Sequence, residues 1–400
     1  ESVTIVATAM QAARIAVYTD ALSLAVENEQ IATLSQNTED GSMILTGVAP
    51  GETLLTVSLA GTSVINSKKI SILQNGIQQI ARMPVNEENP LLLVSIYAQT
   101  KNTEWMTDPT GQTVPKGVPA QGNLTVTGVW DMIPDDLKPH TAIQLHGDDF
   151  VGHGYGGNGD HDALWAWYGY FVDQAEEYNR NEPDTSKHIN LYLTLMTGGT
   201  PISVLNRTVP DDELTQFIAE HDCIKGVVLS ENHNNSDTVA VAEVSAKYLK
   251  MMAQQGCYLV LTDIDRPGAN MMEKWFNDTD TLYNAAKKYH QYLIINSKST
   301  TSSGFNTVRS FALGAWLGGL ADNWGALTDA WTWYETGYHR IFSGINKVTY
   351  EDVRRVYTFP ETLFAMNMLQ CYANGAVVFN AEHPFYCTGV NDKASWALKE

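Results

Sequence analysis

From residue 91 onward, short apolar runs of strand length alternate with longer stretches of helical periodicity. The runs are 91–97 (LLLVSIY), 141–145 (TAIQL), 189–195 (INLYLTL), 224–229 (IKGVVL), 257–261 (CYLVL), 292–295 (YLII), a weaker 317–322 (LGGLAD) and 376–379 (AVVF). Strands that are apolar on both faces belong between layers of helices, as in a parallel sheet. The intervening segments carry helix signals. Residues 163–178 are rich in aromatics. Asp211-Asp-Glu-Leu214 opens the next segment with acidic residues, and 239–255 stops at Gly256. Residues 280–289 and 361–372 complete the series. Eight strands alternating with helices predict an α/β fold, the (β/α)8 TIM barrel, commonly ~250 residues long. An open doubly wound sheet is the competing architecture, but no Gly-rich phosphate loop follows any run.

The first 80 or so residues read differently. They hold no Trp and no His, and short alternating runs (31–35, 43–46, 53–59) are separated by Glu39-Asp-Gly41 and Ala49-Pro-Gly51. Period-two patterning between such turns predicts a small all-β sandwich. A linker from Met83 to Pro90 follows, so the expected domains are 1–82 and 83–400.

Composition narrows the function classes. Twenty-five Lys and Arg stand against 45 Asp and Glu, a formal net charge of −20. That field repels phosphate backbones and anionic headgroups, which argues against nucleic-acid and membrane-surface partners. No stretch approaches the roughly 20 apolar residues of a membrane span. Cys223, Cys257, Cys371 and Cys387 form no CxxC pair or metal-ligand spacing, and read as free structural thiols. The chain opens at Glu1 without a signal-peptide pattern, which reads as an excised or mature fragment.

In a (β/α)8 barrel the chemistry sits at the strand C-termini. The fourth run leads into Glu231-Asn232-His233 and the fifth into Asp263. The sixth leads into Lys298, the seventh into Asp322 and Asp329, and the eighth into Glu382. Carboxylates at several strand ends suit glycosidic cleavage, in which one carboxylic acid protonates the leaving oxygen and an opposing carboxylate activates water. Trp105, Trp165, Trp167, Trp324, Trp331 and Trp333 are candidate platforms for sugar rings or, more ordinarily, core residues. Tyr97, His146, Asn232, Asp263, Lys298 and Trp331, at or just beyond strand ends, are the candidate substrate-binding groups.

Several spans resemble the catalytic domain of glycoside hydrolase family 98. They are Pro84 with Asn89-Pro90-Leu-Leu-Leu-Val94, Ile133-Pro-Asp-Asp-Leu-Lys-Pro-His140, Gly226-Val-Val-Leu-Ser-Glu231, Tyr258-Leu-Val-Leu-Thr-Asp263, Ser310-Phe-Ala-Leu-Gly-Ala-Trp-Leu-Gly-Gly319 and Phe359-Pro-Glu361. Their order and spacing carry the likeness across most of 84–390. The resemblance implies an inverting endo-β-galactosidase acting on blood-group-type host glycans, with no cofactor. It places the general acid on Glu231 and an Asp–Glu base pair on Asp329 and Glu382, with Asp322 the rival of Asp329. It also matches Lys298 to a family lysine that hydrogen-bonds sugar hydroxyls. The stretch 31–61 resembles a bacterial Ig-like repeat, implying an accessory module on a secreted or cell-surface protein. The expected state is a monomer.

Two other readings compete. His146-Gly-Asp-Asp149 and the Gly-rich 152–162, ending Asp160-His-Asp162, could bind a divalent metal and support metal-assisted hydrolysis instead. Alternatively the aromatics could serve a non-catalytic glycan-binding adhesin.

Overall fold

The computed structural model describes residues 2–5, 12–15, 22–36, 43–49, 51–59, 64–72, 81–97, 105–107, 113–115, 125–147, 159–196, 200–232, 236–264, 271–299, 307–328, 361–381, 388–391 and 395–398. The chain divides into two compact units, Glu1–Ile80 and Ala81–Glu400.

The first unit is all β. Strands β1 (Ser2–Ile5), β3 (Leu22–Val26), β6 (Gly51–Leu59) and β7 (Val64–Ile72) form a sheet ordered β1-β7-β6-β3. Strands β2 (Ala12–Ile15), β4 (Ala32–Gln36) and β5 (Met43–Gly47) form a second, ordered β2-β5-β4. Ala32 and Leu45 of the second sheet and Leu55 of the first share one small apolar core, with Leu24, Val26, Ile31 and Leu34 packed on it. The alternation that reads as half-buried strands therefore gives two sheets joined through their apolar faces.

In the second unit β8 (Leu91–Tyr97) is followed by a hairpin, β9 (Trp105–Thr107) with β10 (Thr113–Pro115). Then come β11 (Thr141–His146), β12 (Leu191–Met196), β13 (Ile224–Ser230), β14 (Tyr258–Ile264), β15 (Leu293–Ser299), β16 (Asn323–Thr328) and β17 (Val378–Ala381). Strands β11 to β17 pair in chain order, β8 closes the ring between β17 and β11, and every pairing is parallel. This is the (β/α)8 barrel expected from the sequence. Seven of the eight runs fall on strands. The exception is 317–322, which closes the helix Thr307–Leu317 and turns into a strand that starts only at Asn323. A Leu-Gly-Gly-Leu segment is apolar enough to resemble a strand, but Leu317 is 61% exposed and belongs to a helix terminus.

Strand pairing carries one inward-facing phase around the ring. Leu91, Leu93, Ala142, Tyr192, Val228, Tyr258, Val260, Ile294 and Val378 fill the interior, with Val85 and Val377 against them. The Tyr258 hydroxyl accepts a hydrogen bond from the Val85 amide at 3.0 Å, which ties residue 85 to this layer. Nearby, Arg82 donates to the carbonyls of Ile218, His221 and Ile224 at 2.9, 3.1 and 3.3 Å. Ile218 lies in the last turn of the helix Asp211–Glu220, whose carbonyls lack partners within the helix. The expected linker is thus the seal on the N-terminal end of the barrel.

The helices follow their sequence signals. Asp237 accepts from the Ala240 amide to cap Thr238–Gln255, and Gly256, in the left-handed region at φ 69°, ends that helix. Cys223, Cys257 and Cys371 are buried and unbridged, and burial pushes the thiols of Cys223 and Cys257 up to about 12 and about 11. They remain protonated and inert at neutral pH.

Gly226 shows how tightly the interior is filled. A methyl group there would lie 2.5 Å from the Tyr192 ring and 2.6 Å from the Tyr258 carbonyl oxygen. Gly226→Ala is expected to destabilise the barrel by about 1–3 kcal/mol, since the backbone oxygen cannot give way. A denaturant unfolding midpoint unchanged from that of the parent protein would contradict this packing.

Candidate active site

The inner face changes character toward the strand C-termini. Below it is mostly Leu, Val, Ile and Tyr; above, the residues in the same phase include Ser95, Gln144, His146, Thr194, Ser230, Thr262, Asn296, Lys298 and Asn380, all buried, with Leu327 among them. The Gln144 side chain links three strands, donating to Thr194 Oγ1 at 2.8 Å and accepting from Asn380 Nδ2. His146 Nε2 and Ser95 Oγ are 3.1 Å apart. Ser230, Thr262 and Asn296 stand side by side in the register of β13, β14 and β15.

Glu231 follows immediately on β13, at the end of the barrel where chemistry is built. Its backbone is left-handed at φ 52°, the one non-glycine residue with positive φ among the described residues. That conformation costs an L-residue on the order of 1–2 kcal/mol. It breaks the strand's alternation. Ser230 already faces inward, so continued extended backbone would send the next side chain out toward the helices; the left-handed turn instead lets Glu231 meet an inward-facing residue. Contacts from the two following strands hold it. The Glu231 amide donates to the Thr262 carbonyl at 3.0 Å. Its Oε1 accepts from Lys298 Nζ, on the inner face of β15. The lysine side chain is 1% exposed, and that of Glu231 19% exposed. The ammonium therefore lies within the barrel and the carboxylate at its opening.

Asn232 is completely buried beside Glu231. Among the described residues, neither polar atom of the Asn232 or Asn296 amide has a hydrogen-bond partner, nor does Thr262 Oγ1. Buried polar groups of this kind are costly unless water or a ligand completes them. Asn296, Thr262, Gln144 and Asn380 were not singled out from the sequence. The available signal was the appearance of polar residues toward the C-terminal end of otherwise apolar runs.

The remaining candidates divide. Asp263 is fully buried at the end of β14, but it alternates with the inward-facing Thr262, and its Oδ1 accepts from the amide of Ile264 at 2.7 Å. Tyr97 pairs in register with His146, and its side chain lies outside the described residues. Asp329, Trp331, Trp333, Glu382 and Cys387 lie outside them as well. The strands leading to Asp329 and Glu382 end at Thr328 and Ala381, three and four places round the ring from β13.

Three expectations are corrected. Asp322 is no rival to Asp329, because it precedes β16 rather than following a strand: its carboxylate meets His290 Nδ1, and its amide donates to the His290 carbonyl, at the strands' N-terminal end. Trp324 and Trp167 are not sugar platforms. Both are wholly buried, Trp324 donating to the Asn374 carbonyl and Trp167 packed edge-on against Tyr168 and Phe171. Trp165 is partly buried and packs edge-on against Phe217.

Of the His146–Asp162 stretch, 148–158 lies outside the described residues. Asp160 caps the helix His161–Asn181 through the Ala163 amide, while His161 bonds Asp162 and Glu213. Asp162, then Glu213, raise its pKa above the ordinary imidazole value. These are structural roles at a helix start. Among the described residues no group of three or more His, Cys, Asp or Glu is placed to hold a metal ion.

The family model of glycosyl hydrolase family 98 matches residues 79–400. The blood-group-substance endo-1,4-beta-galactosidase of Clostridium perfringens is 30% identical over 321 residues, 78% of this chain and 37% of that protein. The catalytic module of a family 98 glycoside hydrolase from Streptococcus pneumoniae, in its native form, is 28% identical with a TM-score of 0.62, covering 78% of this chain and 50% of that one. The same module in complex with the H-disaccharide blood group antigen gives 28% and 0.63, again over 78% and 50%. The chain thus spans about half the length of the solved relatives, and less of the curated one. An eight-stranded parallel barrel, a carboxylate turned inward at the end of its fourth strand, and a family match running from the N-terminal seal to residue 400 agree: the chain belongs to glycosyl hydrolase family 98.

Proposed function

We propose that this chain is an endo-acting glycoside hydrolase that cleaves a β-galactosidic linkage in blood-group A/B-type or related host glycans with inversion. In this reading Glu231 is the general acid, and Asp329 with Glu382 forms the base that activates water. The observation that carries it is the placement of Glu231, turned inward by its left-handed backbone and held there by Lys298 at the end of the fourth barrel strand. Two strands that end in a carboxylate-bearing segment lie on the opposite side of the ring. An acid and a base facing each other at about 6.5–9.5 Å leave room for the attacking water, the arrangement that inverts configuration.

The Clostridium perfringens relative named above supports the substrate class, as do the streptococcal modules solved with the H-disaccharide and the LewisY pentasaccharide antigens. Tyr97, His146, Asn232 and Trp331 are assigned to sugar contacts around the acid, and the amides of Asn232 and Asn296, unpartnered among the described residues, add donors and acceptors suited to hydroxyl groups. No cofactor enters this chemistry. The N-terminal two-sheet unit is assigned as an Ig-like accessory module of a secreted or cell-surface bacterial protein, with the enzyme acting as a monomer.

Glu231→Gln keeps the shape and removes the proton donor. It is expected to lower the rate on a blood-group A, B or H oligosaccharide by on the order of 10²–10⁴-fold; full activity would remove Glu231 from the acid role. Asp329→Asn and Glu382→Gln are expected to slow hydrolysis while preserving affinity in calorimetric titration, and lost binding would recast them as contact residues. Proton NMR of the first product to accumulate should show the new reducing end as the α-anomer. A β-anomer formed first would indicate retention.

A further inference from the structure

Lys298 sits in an unusual place for a residue that greets a ligand. Its side chain is 1% exposed, enclosed by the inner faces of the strands, while the carboxylate it touches is the more exposed partner at 19%. It shares its face of β15 with Ile294 of the apolar core and with Asn296. Its ammonium reaches across β14 to Oε1 of Glu231, 67 residues away in sequence. On the intervening strand, the Thr262 carbonyl takes the Glu231 amide. Glu231 is thus pinned at two atoms, the amide by β14 and the carboxylate by β15, in a backbone conformation that an unrestrained glutamate avoids.

We infer that Lys298 is a positioning residue for the general acid, fixing the direction of the Glu231 carboxylate at the opening of the barrel, rather than a residue whose primary partner is a sugar hydroxyl. The inference rests on the acid assignment of Glu231 made above. A glutamate has three side-chain torsions, and a charge-assisted hydrogen bond from a buried, immobile donor removes the freedom of the last of them. Proton transfer in turn requires the donor within hydrogen-bond reach of the leaving oxygen, and a displacement of about 1 Å lowers the rate by about 10²-fold. The lysine meets the requirement for precise support because its stem is packed inside the barrel and anchored on a strand.

The test compares two substrates on four proteins: the parent, Glu231→Gln, Lys298→Met and the double variant. The substrates are one blood-group glycan carried either on its natural sugar or on p-nitrophenol, a leaving group that departs without a proton. For Lys298→Met the expectation is a kcat lower by about 10²-fold on the natural linkage with KM changed less than about 3-fold, and much of the loss recovered on the nitrophenyl glycoside. The double variant should be no slower than Glu231→Gln within about 3-fold, because a positioning residue has nothing left to position.

A raised KM on both substrates with kcat preserved would make Lys298 a sugar contact and overturn the inference. So would losses that multiply in the double variant. If Glu231→Gln itself loses rate equally on both substrates, the acid assignment fails, and that result is read independently of Lys298. Lys298→Gln, which retains a hydrogen-bond donor, is expected to fall between the parent and Lys298→Met, and thermal unfolding of each variant separates positioning from loss of fold. The partial exposure of Glu231 lets its carboxylate reach water once the ammonium is gone, which favours folded variants.

Discussion

Everything at the barrel's opening depends on eight strands sharing one alternation phase. In a parallel ladder, residues paired in register point to the same face, so when Leu93 faces inward, Ala142 must, and so must Gln144 and Tyr192 beyond it. The ring closes from β17 back to β8 without reversing that phase. One set of positions therefore supplies both the apolar filling and, two or four residues later, the polar layer above it. The chemistry is a continuation of the core by other residue types.

Glu231 departs from that rule. Regular extended backbone would have wasted the first residue past β13 on the helix layer; a single left-handed residue turns it inward. The distortion is tolerated because neighbouring strands over-determine it, one through a carbonyl and the other through an ammonium. Charge matters here too. The described part of the mouth holds one cation, Lys298, in a chain of net charge −20. That ammonium, and not a surface-wide field, is the local electrostatic feature of the site.

The opposite end of the barrel is built for permanence. Arg82 satisfies three carbonyls at one helix terminus and strand start, Tyr258 binds residue 85, and His290 with Asp322 joins the approaches to β15 and β16. This division between a sealed end and a reactive end lets polar groups remain unpartnered at one without loosening the other. Ionisable residues occur at both, so an acidic residue near a strand is informative only once it is known which end of the strand it adjoins. Asp322 precedes its strand, whereas Glu231 follows its own.

Strand identity was legible wherever an apolar run stood between polar loops, because a strand enclosed on both faces is built mainly of apolar residues. It was illegible at 317–322, where a helix end of Leu and Gly has the same composition as a short strand. Glu231 was legible as a strand-end carboxylate, and the family likeness gave it a role. Buried tryptophans looked the same as exposed ones, since the indole suits a core and a sugar surface equally. What tertiary structure alone decided was the phase of each strand, the left-handed turn at Glu231 and its meeting with Lys298. Local periodicity follows from the chain's own hydrogen bonding and burial, whereas a contact between residues 67 apart exists only after the ring has closed.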